Sequence, residues 1–243
     1  MTQAVNQTPG PPVDERRGHR WLRRLFAARC LVCEERGDDG RALCAACAAA
    51  LPWTGPACAR CAVPLAAGDT LCGGCLRRPP PLDATYAAFV YGFPVDRLLP
   101  RLKFHRDLAA GALLSASMAR ALATRPRPDA LVPVPLHPAR LRARGYDQAL
   151  ELARPLSRAL ALPLRADLLR RQRATAPQSR LDAPARRRNV RGAFAATARG
   201  VLPAHVALVD DVMTTGATLH AAALALRRLG IARVDAWVCA RVP

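Results

Sequence analysis

"VALVDDVMTTGATLHAA", residues 206–222, joins three patterns in one short span. An apolar run of strand character ends in two adjacent acids, Asp210 and Asp211. Two threonines and a glycine follow. Apolar residues then recur at helical spacing through Leu219, Ala222, Ala223, Leu226 and Leu229, with Gly230 as the stop. The order is strand, turn, helix. In an open parallel sheet such a turn lies at the carboxyl end of a strand, where ligands gather. Gly216 lets a ligand approach the backbone, the first helical amides have no internal partner, and Thr214, Thr215 and Thr218 add hydroxyls. That turn suits a phosphate monoester. Two carboxylates close by would repel a second phosphate but accept hydrogen bonds from a diol. A phosphate beside a diol is a ribose 5-phosphate.

Competing chemistry fails on spacing. The chain has no G-x-x-x-x-G-K-[ST] and no G-x-G-x-x-G after a strand. A phospho-receiver domain would need a downstream lysine, and none follows Asp211. An N-capped helix after a strand accounts for one threonine, not for two acids, three threonines and the glycine.

Working outward, Thr85 to the C-terminus alternates apolar runs with helical periodicity. "ATYAAFVYGF", "DALVPVPL" (129–136), "HVALVDD" (205–211) and "RVDAWVCA" (233–240) read as strands. Residues 107–123, 148–162 and 217–229 read as helices, the second with a kink or break at Pro155. Alternation of this kind predicts an α/β domain over residues 84–243 with a mostly parallel sheet flanked by helices. "RRPPP", Arg77 to Pro81, reads as a linker. Residues 1–27 read as a mobile basic tail, with a short helix near Trp21.

Residues 28–80 hold eight of the nine cysteines, as "CLVC" (30, 33), "CAAC" (44, 47), "CARC" (58, 61) and "CGGC" (72, 75). Each C-x2-C sets two sulfurs on one tight turn, and two turns complete a tetrahedral site. Cys30, Cys33, Cys44, Cys47, Cys58, Cys61, Cys72 and Cys75 are therefore read as ligands of two structural zinc ions in a double zinc ribbon. Sequential pairs are expected to share an ion, although equal spacing leaves other pairings open. A disulfide framework would need an oxidising compartment, and the N-terminus has no apolar stretch of a signal peptide. Cys239 stands alone on a predicted strand as a buried apolar residue.

No run of apolar residues is long enough to span a bilayer, so the expectation is a cytoplasmic protein without membrane insertion. The formal net charge of +19 points to phosphates, nucleic acid or an acidic surface. Arginine supplies all the basic residues but Lys103, and with abundant Ala and Pro this also fits a G+C-rich genome. Residues 165–191 hold Arg165, Arg170, Arg171, Arg173, Arg180, Arg186, Arg187, Arg188 and Arg191. Arginine grips phosphate in two places, so this stretch suits phosphate contact. Arg140, Arg142 and Arg144 could extend it into a nucleic-acid track, but the stretch has no Trp or Tyr for base stacking. Lys103, the one retained lysine, is a candidate catalytic cation for a diphosphate or a developing charge. His137 follows a Pro-rich turn and reads either as a site or as a loop residue.

"VALVDDVMTTGAT" resembles the signature of type I phosphoribosyltransferases, which bind 5-phosphoribosyl 1-diphosphate (PRPP). "VPVPLHPARLRARGYDQALELA", "RRQRATAPQSRLDAPARRRNVRGAF" and the cysteine-rich start resemble the ComF/GntX family, over about residues 30–241. The resemblance implies a type I phosphoribosyltransferase-like fold. It implies that Asp210 and Asp211 bind the ribose hydroxyls and act in catalysis. It also implies that Thr214, Thr215, Gly216, Ala217 and Thr218 cradle the 5-phosphate. Pro133, Val134 and Pro135 would form the pyrophosphate loop, Mg²⁺ would accompany PRPP, and the arginine-rich stretch would be a loop that closes over the diphosphate. One departure is "RGYDQ" (144–148), where the family usually has "RGFNQ". Two functions follow from the resemblance. One is a phosphoribosyl (pentosyl) transferase. The other is a zinc-ribbon module for single-stranded DNA that uses PRPP only as a ligand, in DNA uptake during natural transformation beside a competence helicase.

Overall fold

The computed structural model describes residues 29–38, 42–174, 190, 192–198 and 200–243. The basic tail expected over residues 1–27 lies outside the described residues, as do Arg180, Arg186, Arg187, Arg188 and Arg191. The chain divides into two compact units, Met1–Ala48 and Ala49–Pro243. This division falls inside the cysteine-rich region, between its second and third cysteine pairs.

In the first unit the Cys30–Cys33 turn is closed by Cys30 N–H donating to the Glu35 carbonyl at 2.7 Å. An antiparallel bridge joins Arg29 and Arg36. The short helix α1 (Ala45–Ala49) starts directly after Cys44, so its first turn carries Cys47. With few apolar residues at hand, these turns have little core of their own, and a metal would supply much of the folding energy.

The second unit begins with a similar turn. Ala57 bridges Pro64, and the short helix α2 (Gly73–Arg77) is capped by the Cys72 sulfur, which accepts from Cys75 N–H. This ribbon is fastened to the sheet. Arg60 donates to the Leu82 carbonyl at 2.7 Å, and Thr85 Oγ1 donates to the Arg60 carbonyl at 2.8 Å. Thr85 N–H donates to the Ala59 carbonyl at 2.9 Å, and Arg241 Nε to the Cys61 carbonyl at 2.7 Å. Cys61 packs against the main core.

The sheet has four strands: β1 (Thr85–Val90), β2 (Ala130–Pro133), β5 (His205–Met213) and β6 (Arg233–Arg241). Their order is β1-β6-β5-β2, and every pairing is parallel. Two further strands, β3 (Leu169–Arg171) and β4 (Phe194–Ala196), form an antiparallel ladder that brings Arg171 opposite Phe194. Strand side chains alternate between faces. Val206, Leu208, Val234, Ala236 and Val238 join one core cluster with Leu219, Ala222, Ala223 and Leu226 of α7 (Ala217–Arg228). Ala207, Val209 and Trp237 are equally buried on the alternate positions. That side is covered by α4 (Leu108–Leu122) and α6 (Gln148–Leu160), which pack on each other and on the strands. Parallel strands covered on both faces must be apolar almost throughout, as β5 and β6 are.

Two elements depart from the sequence reading. Helix α3 (Val95–His105) contains Pro100, which obscures an apolar stripe of Val95, Leu98, Leu99 and Leu102, all buried. Pro155 neither breaks nor ends α6, which runs through it to Leu160 because Leu152, Ala153 and Leu156 are held in the core on either side. The remaining helix is α5 (Pro138–Arg144). Among the described residues no helix is long and apolar enough to cross a membrane.

The fastening of the second ribbon to the sheet has a measurable consequence. Replacing Cys58 and Cys61 by Ser should lower the melting temperature of the unit that contains the sheet, because four backbone-directed hydrogen bonds, each about 1 kcal/mol, tie that ribbon to β1, β6 and the linker. Replacing Cys30 and Cys33 by Ser should leave the sheet's transition in place. Equal effects of the two pairs in a thermal melt followed by tryptophan fluorescence would contradict this.

Candidate functional site

The cysteines gather in two groups, Cys30, Cys33, Cys44 and Cys47, then Cys58, Cys61, Cys72 and Cys75. Within each group all sulfurs lie within 4.8 Å of one another. Four thiolates at about 2.3 Å from zinc would sit roughly 3.8 Å apart. Cys33 and Cys44 sulfurs are 3.6 Å apart, and Cys61 and Cys72 sulfurs 3.7 Å. Backbone amides point at the sulfurs: Cys47 N–H at Cys44 (3.5 Å) and Cys72 N–H at Cys58 (3.3 Å). Both groups thus fit structural zinc, and both use sequential cysteine pairs. Cys239 is fully buried on β6, and burial pushes its thiol well up.

The second site is a cavity of about 900 Å³ at the carboxyl edge of the sheet. All four strands contribute: Tyr91 follows β1, Val134 to Leu136 follow β2, Asp210 to Val212 end β5, and Val242 follows β6. Pairing explains why the acids open into it. Pro133, the last residue of β2, pairs with Val209, so Asp210 and Asp211 are the first residues of β5 beyond the end of β2.

The acids are deeply set, at 9% and 4% exposure. Asp210 accepts from the Asp211 amide at 2.9 Å, and Asp211 from the Val212 amide at 2.8 Å. Burial, and then the neighbouring Asp211 charge, push the Asp210 carboxyl well above its ordinary range. Lys103 Nζ, from the last turn of α3, lies 2.9 Å from Asp211 Oδ2. Burial alone would lower the Lys103 pKa, but the attraction of Asp211 outweighs it and the ammonium is raised. Lys103 therefore stays charged and neutralises one acid of the pair.

Thr214 and Thr218 line the cavity. Thr215 is turned to its own backbone, its Oγ1 accepting from Ala217 N–H at 3.4 Å. Gly216 caps α7 in the left-handed region with φ +75°. That φ strains any residue with a side chain, so the turn itself favours glycine; a Cβ there would also meet the side-chain ends of Met213 and His220, at 2.6 and 2.8 Å. Ala217 is buried at the first position of α7. Val134 and Pro135 reach the cavity, while Pro133 is locked in β2. The Asp147 departure has a structural cause. Its carboxylate caps α6 through Ala149 and Leu150 N–H and also holds Leu136 N–H at 2.8 Å. It braces the turn after β2 and is not an anion contact. His137 is a loop residue of the same kind, its Nδ1 accepting from Ala139 N–H at the start of α5.

Four arginines line the wall: Arg106, Arg140, Arg144 and Arg171. Of these Arg171 belongs to the arginine-rich stretch. It lies in β3 at 8% exposure, over the Phe194 ring at 5.3 Å. Burial, and then Arg140, hold its pKa down. Arg165, by contrast, is paired with Asp167 at 2.9 Å. Sequence reading missed Phe104, Arg106 and Tyr146 as lining residues. The stripe from Val95 to Leu102 was the signal that would have placed Lys103 and Phe104 on one helix.

Residues 21–76 match the family model described as a double zinc ribbon domain. The chain is 35% identical to Competence protein F of Haemophilus influenzae over 228 residues, 89% of this chain and 98% of that protein. This chain belongs to the ComF family. It is also 36% identical to the DNA utilization protein YhgH of Salmonella typhi over 208 residues, 82% of this chain and 90% of that one. YhgH of Escherichia coli K12 matches at 35% over the same length. In this ComF chain the family match thus covers both units.

Asp210→Asn should raise the melting temperature of the unliganded protein at neutral pH. An acid whose folded pKa is raised opposes folding once ionised. The cost is absent below its unfolded pKa near 3.9 and grows as pH rises toward the folded value. The advantage of the Asn variant should therefore shrink toward pH 4. An unchanged or lower melting temperature at pH 7 would show that Asp210 is not held at a cost.

Proposed function

We propose that the cavity binds PRPP and that the protein transfers its phosphoribosyl group in the handling of DNA. The carrying observation is one of placement. Within one cavity a buried acid pair at the end of β5 sits beside a glycine turn that opens α7, and four arginines and a lysine surround them. On this reading the N-terminal amides of α7, with Thr214 and Thr218, take the 5-phosphate. Asp210 and Asp211 accept from the ribose 2- and 3-hydroxyls. Lys103, released from Asp211 by the incoming diol, stays within reach of the diphosphate. Val134 and Pro135 shape the diphosphate end, and Arg171 and Arg140 contribute positive charge there.

The donor set at the strand end is oxygen only, which fits a hard cation. Mg²⁺ would be held mainly by diphosphate oxygens and water, and would supply charge neutralisation of the leaving group. The chain's own part is positioning. An acceptor nucleophile bonds to C1 of the ribose, the bond from C1 to the diphosphate oxygen breaks, and pyrophosphate leaves with the electron pair. The curated relatives are named for competence and for DNA utilization. We place this chain in the same line of work, with single-stranded DNA as the partner and a competence helicase beside it.

PRPP with Mg²⁺ should raise the melting temperature; at one hundred times its dissociation constant the gain is about 2.7 kcal/mol. Asp211→Asn and Thr214→Val should each reduce that gain. Gly216 is unsuited to the test, because the turn itself favours glycine there. Ribose 5-phosphate should compete. Pyrophosphate release on mixing PRPP with single-stranded DNA or with free bases reports transfer. A PRPP shift without release from any acceptor would reject transfer and keep binding. Equal shifts in wild type and both variants, or none, would reject the site.

A further inference from the structure

The mouth of the cavity carries a feature outside the PRPP contacts proposed above. Phe104, the penultimate residue of α3, is 67% exposed although it lines the cavity. The Arg144 guanidinium lies over this ring at 5.7 Å from its centroid. The platform is braced from behind. Arg144 Nη1 donates to Gln148 Oε1 at 2.6 Å, and Arg106 Nε to the Arg144 carbonyl at 3.2 Å. Gly145, at φ +84°, lies under the Arg106 guanidinium, where a Cβ would come within 3.1 Å of Nη2. Tyr146 Oη donates to the Leu102 carbonyl, two residues before Phe104 on α3. The end of α3 and the α5–α6 junction thus form one fixed corner with an open aromatic face and two guanidinium groups.

A lone exposed phenylalanine would be ordinary. This one is held at a cavity rim and flanked by cations, the combination that single-stranded nucleic acids need: a face for a base and charge for the backbone. Space allows it. About 900 Å³ is near the top of the roughly 300–1,000 Å³ range of small-molecule sites. The acid pair and the α7 turn take the floor, and the Phe104 corner remains at the rim.

We propose that this corner is a nucleotide subsite. The base stacks on Phe104, and the phosphate rests on Arg106 and Arg144, so that one nucleotide of a single strand is presented to the cavity. The proposal deepens the PRPP reading and rests on it for what lies on the floor.

The test is fluorescence anisotropy with a labelled oligothymidylate of about ten nucleotides. Thymidine 5′-monophosphate and inorganic phosphate serve as competitors. Phe104→Ala should weaken oligonucleotide binding roughly 5- to 150-fold. Phe104→Leu, which keeps bulk without a flat face, should stay weak, and Phe104→Trp should restore affinity. Because the ring is largely exposed, the unliganded melting temperature should not move. Thymidine monophosphate should compete in a Phe104-dependent way, inorganic phosphate in a Phe104-independent one. Equal affinity in wild type, Ala and Leu variants overturns the subsite, as does a wild type that binds no oligonucleotide. In both cases a PRPP melting shift in wild type would leave the PRPP reading standing. Phe104-dependent binding without any PRPP shift would keep the subsite and sink that reading.

Discussion

Two adjacent carboxylates at the end of a buried strand are the constraint around which this fold is arranged. An uncompensated buried charge costs several kcal/mol. The structure meets that cost in two different ways. Asp211 is given a partner, Lys103 at 2.9 Å. Asp210 is given a backbone amide and pushed toward its neutral form by burial. The pair is therefore asymmetric: Asp211 is ion-paired with Lys103, and Asp210 is pushed toward its neutral form by burial. It also fixes α3, because Lys103 reaches Asp211 only if Leu98, Leu99 and Leu102 hold that helix against the core.

The same edge explains the second half of the site. Beyond Pro133, β2 stops while β5 continues beside β6 to Met213. The resulting step leaves the acids without a strand on one side. The turn after β2 fills part of that step and is kept from sliding by Asp147, which holds Leu136 N–H and the first amides of α6 at once. An acid suits this position better than an amide side chain for a simple reason. Each of its oxygens can accept, and three amides converge on it.

The positions of the strands and the glycine turn were legible because apolar runs end where charge or glycine begins. Asp210 and Gly216 each have a local signature. So do the cysteine pairs, whose regular spacing already implied shared sites. What was not legible came from the third dimension. Helix α3 was hidden by Pro100, and the kink or break expected at Pro155 does not end α6, since tertiary packing overrides a missing backbone donor when the flanking residues are anchored. The second ribbon's attachment was equally invisible. It depends on Arg241 reaching Cys61 across 180 residues of sequence. Within one residue type the sequence could not separate Arg165, paired at the surface with Asp167, from Arg171, buried at the cavity.

That last distinction changes the meaning of the net charge of +19. Read as composition, it describes a protein attracted to any polyanion. Read by position, it divides. Arg60, Arg127 and Arg241 spend their donors on backbone carbonyls, Arg227 on carbonyls and the Asp83 carboxylate, and all four serve as ties within the fold. Arg233 holds the buried Asp235 at the far end of β6. Arg106, Arg140, Arg144 and Arg171 line one cavity, with Lys103 on its floor. The charge that gathers in one place is therefore five cations lining a cavity with two acids, of which Asp211 is paired with Lys103. On the reading proposed above, that concentration of positive charge is what a ligand of several negative charges would meet. That concentration is a matter of position in the fold and not of the chain's arginine content as a whole.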